Sequence, residues 1–123
     1  MALDYPFRAV IGIEYVSGLV GVAQRNIACY RSPRRTRNHV SLLCCDAATY
    51  RLPPGDLVLF FFNPFAGEII QKVLTHVDSV ASGRNIYIFY LVPRCKQVFD
   101  EWPSLRLLVA EGGKSGYCIY RHL

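Results

Sequence analysis

The stretch Gly55-Asp-Leu-Val-Leu-Phe-Phe-Phe-Asn-Pro-Phe65 decides the fold. From Leu57 to Phe62 it is apolar without alternation. A strand buried on both faces reads this way, as in the middle of a parallel α/β sheet. In that setting Phe60, Phe61 and Phe62 are expected in the core rather than as a platform for stacking bases. Pro64 disfavours the α region for Asn63 and so ends the strand. A polar side chain is left at the strand's carboxyl end, the edge where open α/β sheets bind ligands.

Working outward, Arg8 to Tyr15 reads as a second buried strand, ending near Glu14. Val16 to Tyr30 carries helical spacing, with Leu19, Val22, Ala23, Ile27 and Tyr30 on one face and Ser17 as the expected cap. His39 to Cys45 is another strand, stopped by Asp46. Beyond Asn63-Pro64, Phe65 to Ala81 is helical, with Ile69, Ile70, Val73, Leu74, Val77 and Val80 on its buried side and Gly83 as a natural terminator. Asn85 to Val92 is a strand closed by Pro93, and Cys95 to Glu101 makes one or two helical turns. Leu105 to Ala110 and Tyr117 to Tyr120 flank Gly112-Gly113 as an antiparallel hairpin. Strands alternating with helices predict a Rossmann-like α/β fold. Its sheet is mostly parallel, has helices on both faces and carries the C-terminal hairpin as an antiparallel edge.

At 123 residues the chain is expected to be one domain, 1–123. An apolar content of 52% is ample for a core and excludes a disordered chain. The net charge of +5 is concentrated locally, with Arg31, Arg34, Arg35 and Arg37 in one short loop. Such a loop is most often solvated; its functional reading is contact with nucleic-acid phosphates. Five cysteines without a C-x-x-C pair argue against both a disulfide framework and a zinc site. Cys44 and Cys45 are expected as small buried apolar groups in a strand, which suits a reducing, cytoplasmic setting. No signal peptide or apolar run of membrane-spanning length is seen. His39, His76 and His122 show no ligand spacing, and no metal site is expected.

Three polar residues follow three strands expected to be parallel: Glu14, Asp46 and Asn63. Parallel strands bring all three to the ligand-binding edge of the sheet. An acidic residue at such a strand end accepts hydrogen bonds from ribose hydroxyls. Each residue alone also has a purely structural reading. Glu14 suits a helix N-terminus, Asp46 a turn, and Asn63 the position before a proline. Their coincidence is what points to a site.

The segments Val10 to Tyr15, Cys45-Asp46-Ala47-Ala48 and Phe62-Asn63-Pro64-Phe65 resemble class I S-adenosylmethionine-dependent methyltransferases. The similarity runs along essentially the whole chain and includes Tyr90-Leu-Val-Pro93 and the closing hairpin. It is closest to bacterial members of uncertain substrate with a strand ending in Asn-Pro-Phe. The resemblance implies that Glu14 holds the cofactor ribose, and that Asp46 and Ala47 lie by the adenine. It also implies that Asn63, Pro64 and Phe65 line the methyl-transfer site. The cofactor would be S-adenosyl-L-methionine; the acceptor is not specified. The pattern is not the Asp/Asn-Pro-Pro-Tyr of amino-directed nucleic-acid methyltransferases, which disfavours a base acceptor.

One departure is large. The glycine-rich loop of such folds lies about 20 residues before the ribose acid, and counting back from Glu14 passes Met1. Gly12 falls inside a strand, and Gly18 and Gly21 in a helix pattern. The chain is therefore expected to lack the usual first, central strand together with that loop, a partial domain. The gap suggests strand exchange between two chains as a route to a homodimer. Two other readings stand beside the enzyme: a non-catalytic α/β interaction module or gene fragment, and a nucleic-acid-binding domain using the basic loop.

Overall fold

The structure, a computed structural model, describes residues 2–34, 39–62 and 66–123, with only the backbone described at Lys114. The chain divides into two compact units, Met1–Tyr50 and Arg51–Leu123. It is an α/β fold whose described strands are parallel in the first unit and mixed in the second.

The first unit is a β-α-β crossover. Strand β1 (Ala9–Glu14) pairs in parallel with β2 (His39–Cys44), in a register running from Ala9↔His39 to Glu14↔Cys44. A parallel pair needs a long crossover, and helix α1 (Ser17–Cys29) supplies it. Gly12 leaves room for Leu42: a Cβ there would lie 2.6 Å from Leu42 Cδ2, so that side chain would have to shift. Ser17 is the first helical residue and not the cap; Val16 takes the cap position, with no side-chain cap bond. The buried stripe of α1 is also shifted from the expected one. Val20 is buried, while Leu19 and Val22 are exposed. Before β1, Tyr30 donates a 2.6 Å hydrogen bond to Asp4 Oδ2, which ties the chain's first turn to the end of α1. Cys44 is exposed rather than buried, because it closes an edge strand of a two-stranded sheet.

The second unit holds a four-stranded sheet in the order β3-β4-β6-β5. Strands β3 (Leu57–Phe62) and β4 (Ile86–Leu91) are parallel; β6 (Tyr117–His122) runs antiparallel to both β4 and β5 (Leu105–Glu111). The hairpin expected from Gly112-Gly113 is present, folded so that its second strand is the inner one. Gly112 takes φ 73°, and a Cβ on Gly116 would collide with Glu111 O at 1.6 Å, so the turn demands glycine at both positions. Helix α2 (Gly67–Val80) presents Ile70, Val73, Leu74 and Val77 as a buried stripe. Ile70 and Leu74 pack with Ile88, Tyr90 and Tyr120 of the sheet and with Phe99 of α3 (Lys96–Asp100). The Phe99 ring lies 4.7 Å from Tyr90 and 5.4 Å from Tyr120, centroid to centroid. Fully burying such side chains contributes about 1.5–3 kcal/mol each.

The opening stretch departs from its expectation. Strand β3 alternates. Leu59 and Phe61 pack against the core, whereas Val58, Phe60 and Phe62 are 49%, 62% and 63% exposed. The physical reason is one-sided cover. Helices α2 and α3 contribute to the same core cluster, so only one face of β3 is roofed. Among the described residues β3 is laddered only to β4.

Two clamps fix the amino ends of this parallel pair. Asp56 accepts the Asn85 main-chain N–H at 2.9 Å and the Asn85 side-chain amide at 3.2 Å, bonds that hold its carboxyl below the usual range. Arg84 donates to the carbonyls of Pro53, Gly55 and Val80.

Candidate functional site

Glu14 and Asp46 belong to the first unit, and the parallel pairing brings them to one edge. Glu14 is the last residue of β1 and is opposite Cys44. The Cys45 N–H then donates to Glu14 O at 3.0 Å, so Asp46 follows immediately at the same carboxyl edge. Both side chains are half-buried.

Each carboxylate has one structural duty and one oxygen left over. Glu14 Oε1 accepts the Val16 N–H at 2.9 Å, at the entry to α1. This bond does the work expected of Ser17, and it places a carboxylate at the positive end of the helix dipole. Asp46 Oδ1 accepts the Ala48 N–H at 2.9 Å, an Asx turn. The Asp46 carbonyl takes the Thr49 and Tyr50 N–H groups, both at 3.1 Å. Ala47 lies within that turn, half-buried. Among the described residues Glu14 Oε2 and Asp46 Oδ2 take no hydrogen bond. Both the structural and the functional readings of these acids thus apply at once. Two carboxylates at one sheet edge with open acceptors can receive hydroxyl or amino donors from a polar ligand.

Asn63, Pro64 and Phe65 lie outside the described residues. Strand β3 stops at Phe62, and α2 starts at Gly67 after the cap residue Ala66. In the basic loop, Arg35 and Arg37 are also outside. Arg31 is engaged with the end of α1, donating to the carbonyls of Ala28 and Tyr30. No cluster of His, Cys, Asp or Glu suited to a metal exists among the described residues, and none of their helices is long and apolar enough to cross a membrane.

Two features of the second unit escaped the sequence reading. Val92, just past β4, has φ 52°, a left-handed conformation that costs a β-branched residue about 1–3 kcal/mol. Its N–H donates to Gly116 O at 2.8 Å, and Pro93 beside it is buried. Proline restricts the preceding residue to extended forms, so nothing in the sequence signalled this geometry. The second feature is a hub at Asp78. It accepts from Trp102 Nε1 at 3.0 Å and Ser104 Oγ at 2.5 Å, and pairs with His122 Nε2 at 2.8 Å. Burial disfavours the Asp78 charge, but these three bonds outweigh it and keep its carboxyl below the usual range. A shallow depression of about 440 Å³ borders the hub, lined by Arg84, Asn85 and His122 among others. It lies toward the amino end of β4, away from the carboxyl edge where such sheets bind ligands.

No described protein family matches the sequence, and no curated protein does either. Solved structures do match. A methylase from Haemophilus influenzae superposes with a TM-score of 0.59 at 13% identity, over 94% of this chain and 67% of its own. A methyltransferase from Escherichia coli gives 0.60 at 14% identity, over 94% of this chain and 64% of its own. The magnesium protoporphyrin IX methyltransferase of Synechocystis PCC 6803, solved with bound S-adenosylmethionine, gives 0.54 at 13% identity, over 92% and 58%. The chain thus spans roughly three fifths to two thirds of the length of these neighbours. The fold of this chain is that of the class I methyltransferases.

Proposed function

We propose that residues 1–123 form a single, partial methyltransferase domain whose first unit holds the nucleoside of S-adenosyl-L-methionine. The observation that carries this reading is the pair Glu14 and Asp46, one closing β1 and one in the turn just past β2, each with an oxygen open to a ligand. The donor chemistry fits that part of the cofactor. A ribose diol offers two hydroxyl donors and adenine an exocyclic amine, and carboxylates accept both. Glu14 would take the ribose, and Asp46 with Ala47 would border the adenine.

The fit does not extend to the cofactor's amino-acid end. Gly12 lies inside β1, and Gly18 and Gly21 lie inside α1. No glycine cradle is formed among the described residues. When bound, the cofactor supplies an activated methyl group. The protein's part is then to hold an acceptor in line with it. We assign that task to Asn63, as hydrogen-bonding partner, with Pro64 and Phe65 packed alongside. The setting we assign is cytoplasmic.

The direct test is binding of S-adenosylhomocysteine to the 123-residue chain by titration calorimetry, with Glu14→Gln and Asp46→Asn as variants. Binding that falls about tenfold or more in either variant, with an unchanged melt, supports the reading. Absent binding favours the alternative of a non-catalytic interaction module. That alternative has its own observation in the uncovered apolar face of β3.

A further inference from the structure

The arginines of the first unit are concentrated at one end of it. Arg8 stands at the entry to β1, and its carbonyl accepts the His39 N–H, at the entry to β2, at 3.4 Å. Arg31 and Arg34 lie in the segment that leads from α1 into β2. Parallel strands begin at one sheet edge and finish at the other. Arg8, Arg31 and Arg34 therefore belong to the amino edge, while Glu14 and Asp46 sit at the carboxyl edge, about 20 Å away along six-residue strands. Arg25 is not part of this group: its guanidinium folds back along α1, 3.6 Å from where a Cβ on Gly21 would lie. Arg35 and Arg37 are outside the described residues.

This edge carries one sign of charge. All three side chains are exposed, and among the described residues none pairs with a carboxylate. Asp4, the acid of that end, is taken up by the hydroxyls of Tyr30 and Ser32. Arg31 uses Nη1 on the carbonyls that close α1, and its other donors stay open. The side chains of Arg8 and Arg34 take part in no hydrogen bond among the described residues. The second unit treats its cations differently. Lys96 pairs with Asp100, and Arg84 is engaged by three carbonyls. An ordinary solvated face mixes the two signs in this second way.

We propose that the amino edge of the first unit binds the phosphate backbone of a single-stranded nucleic acid. A guanidinium presents a planar fork of N–H donors that matches phosphate oxygens. Strands β1 and β2 are about 4.8 Å apart, and a nucleic-acid strand carries a phosphate about every 3.4 Å of its axis. Neighbouring arginines thus meet neighbouring phosphates. Tyr5 and Phe7, on the approach to β1, are exposed beside Arg8, and aromatic faces next to arginines are where unpaired bases stack. The contact lies at the edge opposite Glu14 and Asp46. It tethers a strand without presenting a base to the nucleoside site, and it rests on the placement of charge alone.

The test is fluorescence anisotropy of labelled single strands of about 20 nucleotides, RNA and DNA, titrated with the full chain between about 50 and 200 mM salt. Both should bind, within about fivefold of each other, since the phosphates are common to the two. Affinity should fall as salt rises. Arg8→Gln combined with Arg34→Gln should weaken binding about fivefold or more at the lowest salt, and should reduce the slope of log affinity against log salt by about 1.4–1.8. Its melting temperature should match the wild type. Lys72→Gln combined with Arg106→Gln removes the same charge from exposed positions of the second unit, and should change affinity less than about twofold. No binding at the lowest salt overturns the proposal, as does an unchanged slope in the first double variant. An equal loss in the second double variant shows attraction to net charge only and overturns it too. So does a larger preference between RNA and DNA, or binding to vesicles of anionic phospholipid in place of either strand. These readouts need no cofactor, so they stand or fall apart from the nucleoside site.

Discussion

The two units divide labour unequally. Residues 51–123 contain almost all of the buried core, including Tyr90, Tyr120, Phe99, Ile70, Leu74, Ile86 and Ile88. Among the described residues, 1–50 contribute only Leu3 and Val20 at comparable burial, yet they hold both carboxylates of the candidate site. Two strands and one helix are near the lower limit of independent stability. The comparison teaches that the scaffold and the candidate chemistry lie in different places. Loss of stability and loss of binding should therefore be separable by mutation.

The largest effect is expected at the centre of the second unit. Phe99→Ala removes a fully buried ring packed against Tyr90, Tyr120 and Phe61, and should cost about 3–5 kcal/mol in urea unfolding. A cost under 1 kcal/mol would mean that this cluster is not where the stability resides. A paired truncation sharpens the contrast between the helices. Leu74→Ala on α2, at 0% exposure, should cost about 2–5 kcal/mol. Leu19→Ala on α1, at 52% exposure, should stay within about 0.5 kcal/mol. Similar costs at both positions would erase the distinction.

Binding should respond in the opposite pattern. Glu14→Ala loses the open oxygen and the bond to the Val16 N–H together; Glu14→Gln retains an acceptor for that N–H. Calorimetry with S-adenosylhomocysteine should show both variants binding more weakly, while melting temperature falls only for alanine. Equal loss of stability and affinity in the glutamine variant would contradict a ligand role.

The smallest effect concerns pH. The Asp78 carboxyl is held below its ordinary value of 3.8. Its ionised form therefore stabilises the second unit fully above that value, and the contribution fades as pH falls through the lowered one. Asp78→Asn should flatten the dependence of melting temperature on pH below about 4. An unchanged acid limb would show that the bonds from Trp102, Ser104 and His122 do not couple to stability.

Much of this architecture was legible in the sequence because it rests on local signals. The period of Ile70, Val73, Leu74 and Val77 identified α2, and Gly112-Gly113 identified the hairpin. The acids at the ends of β1 and β2 were found from strand endings alone. What was missed depends on relations that are not local. Unbroken apolarity in Leu57 to Phe62 cannot tell a strand covered on both faces from one covered on a single face. The Asp78 hub joins residues 24 to 44 positions apart, with no motif to announce it. The shifted stripe on α1 follows from a two-stranded sheet too narrow to cover Leu19 and Val22.

The central claim is that the second unit carries most of the buried core while a thinly built first unit holds the nucleoside. Hydrogen–deuterium exchange on the full chain, with and without S-adenosylhomocysteine, tests it most directly. The account predicts slow exchange in β4 and β6 in both states, and fast exchange in residues 9–50 without ligand. With ligand, protection should rise at Val16 and at Cys45 to Tyr50, where the two carboxylates shape the backbone. Equal protection of both units without ligand, or no change at those amides on its addition, would contradict it.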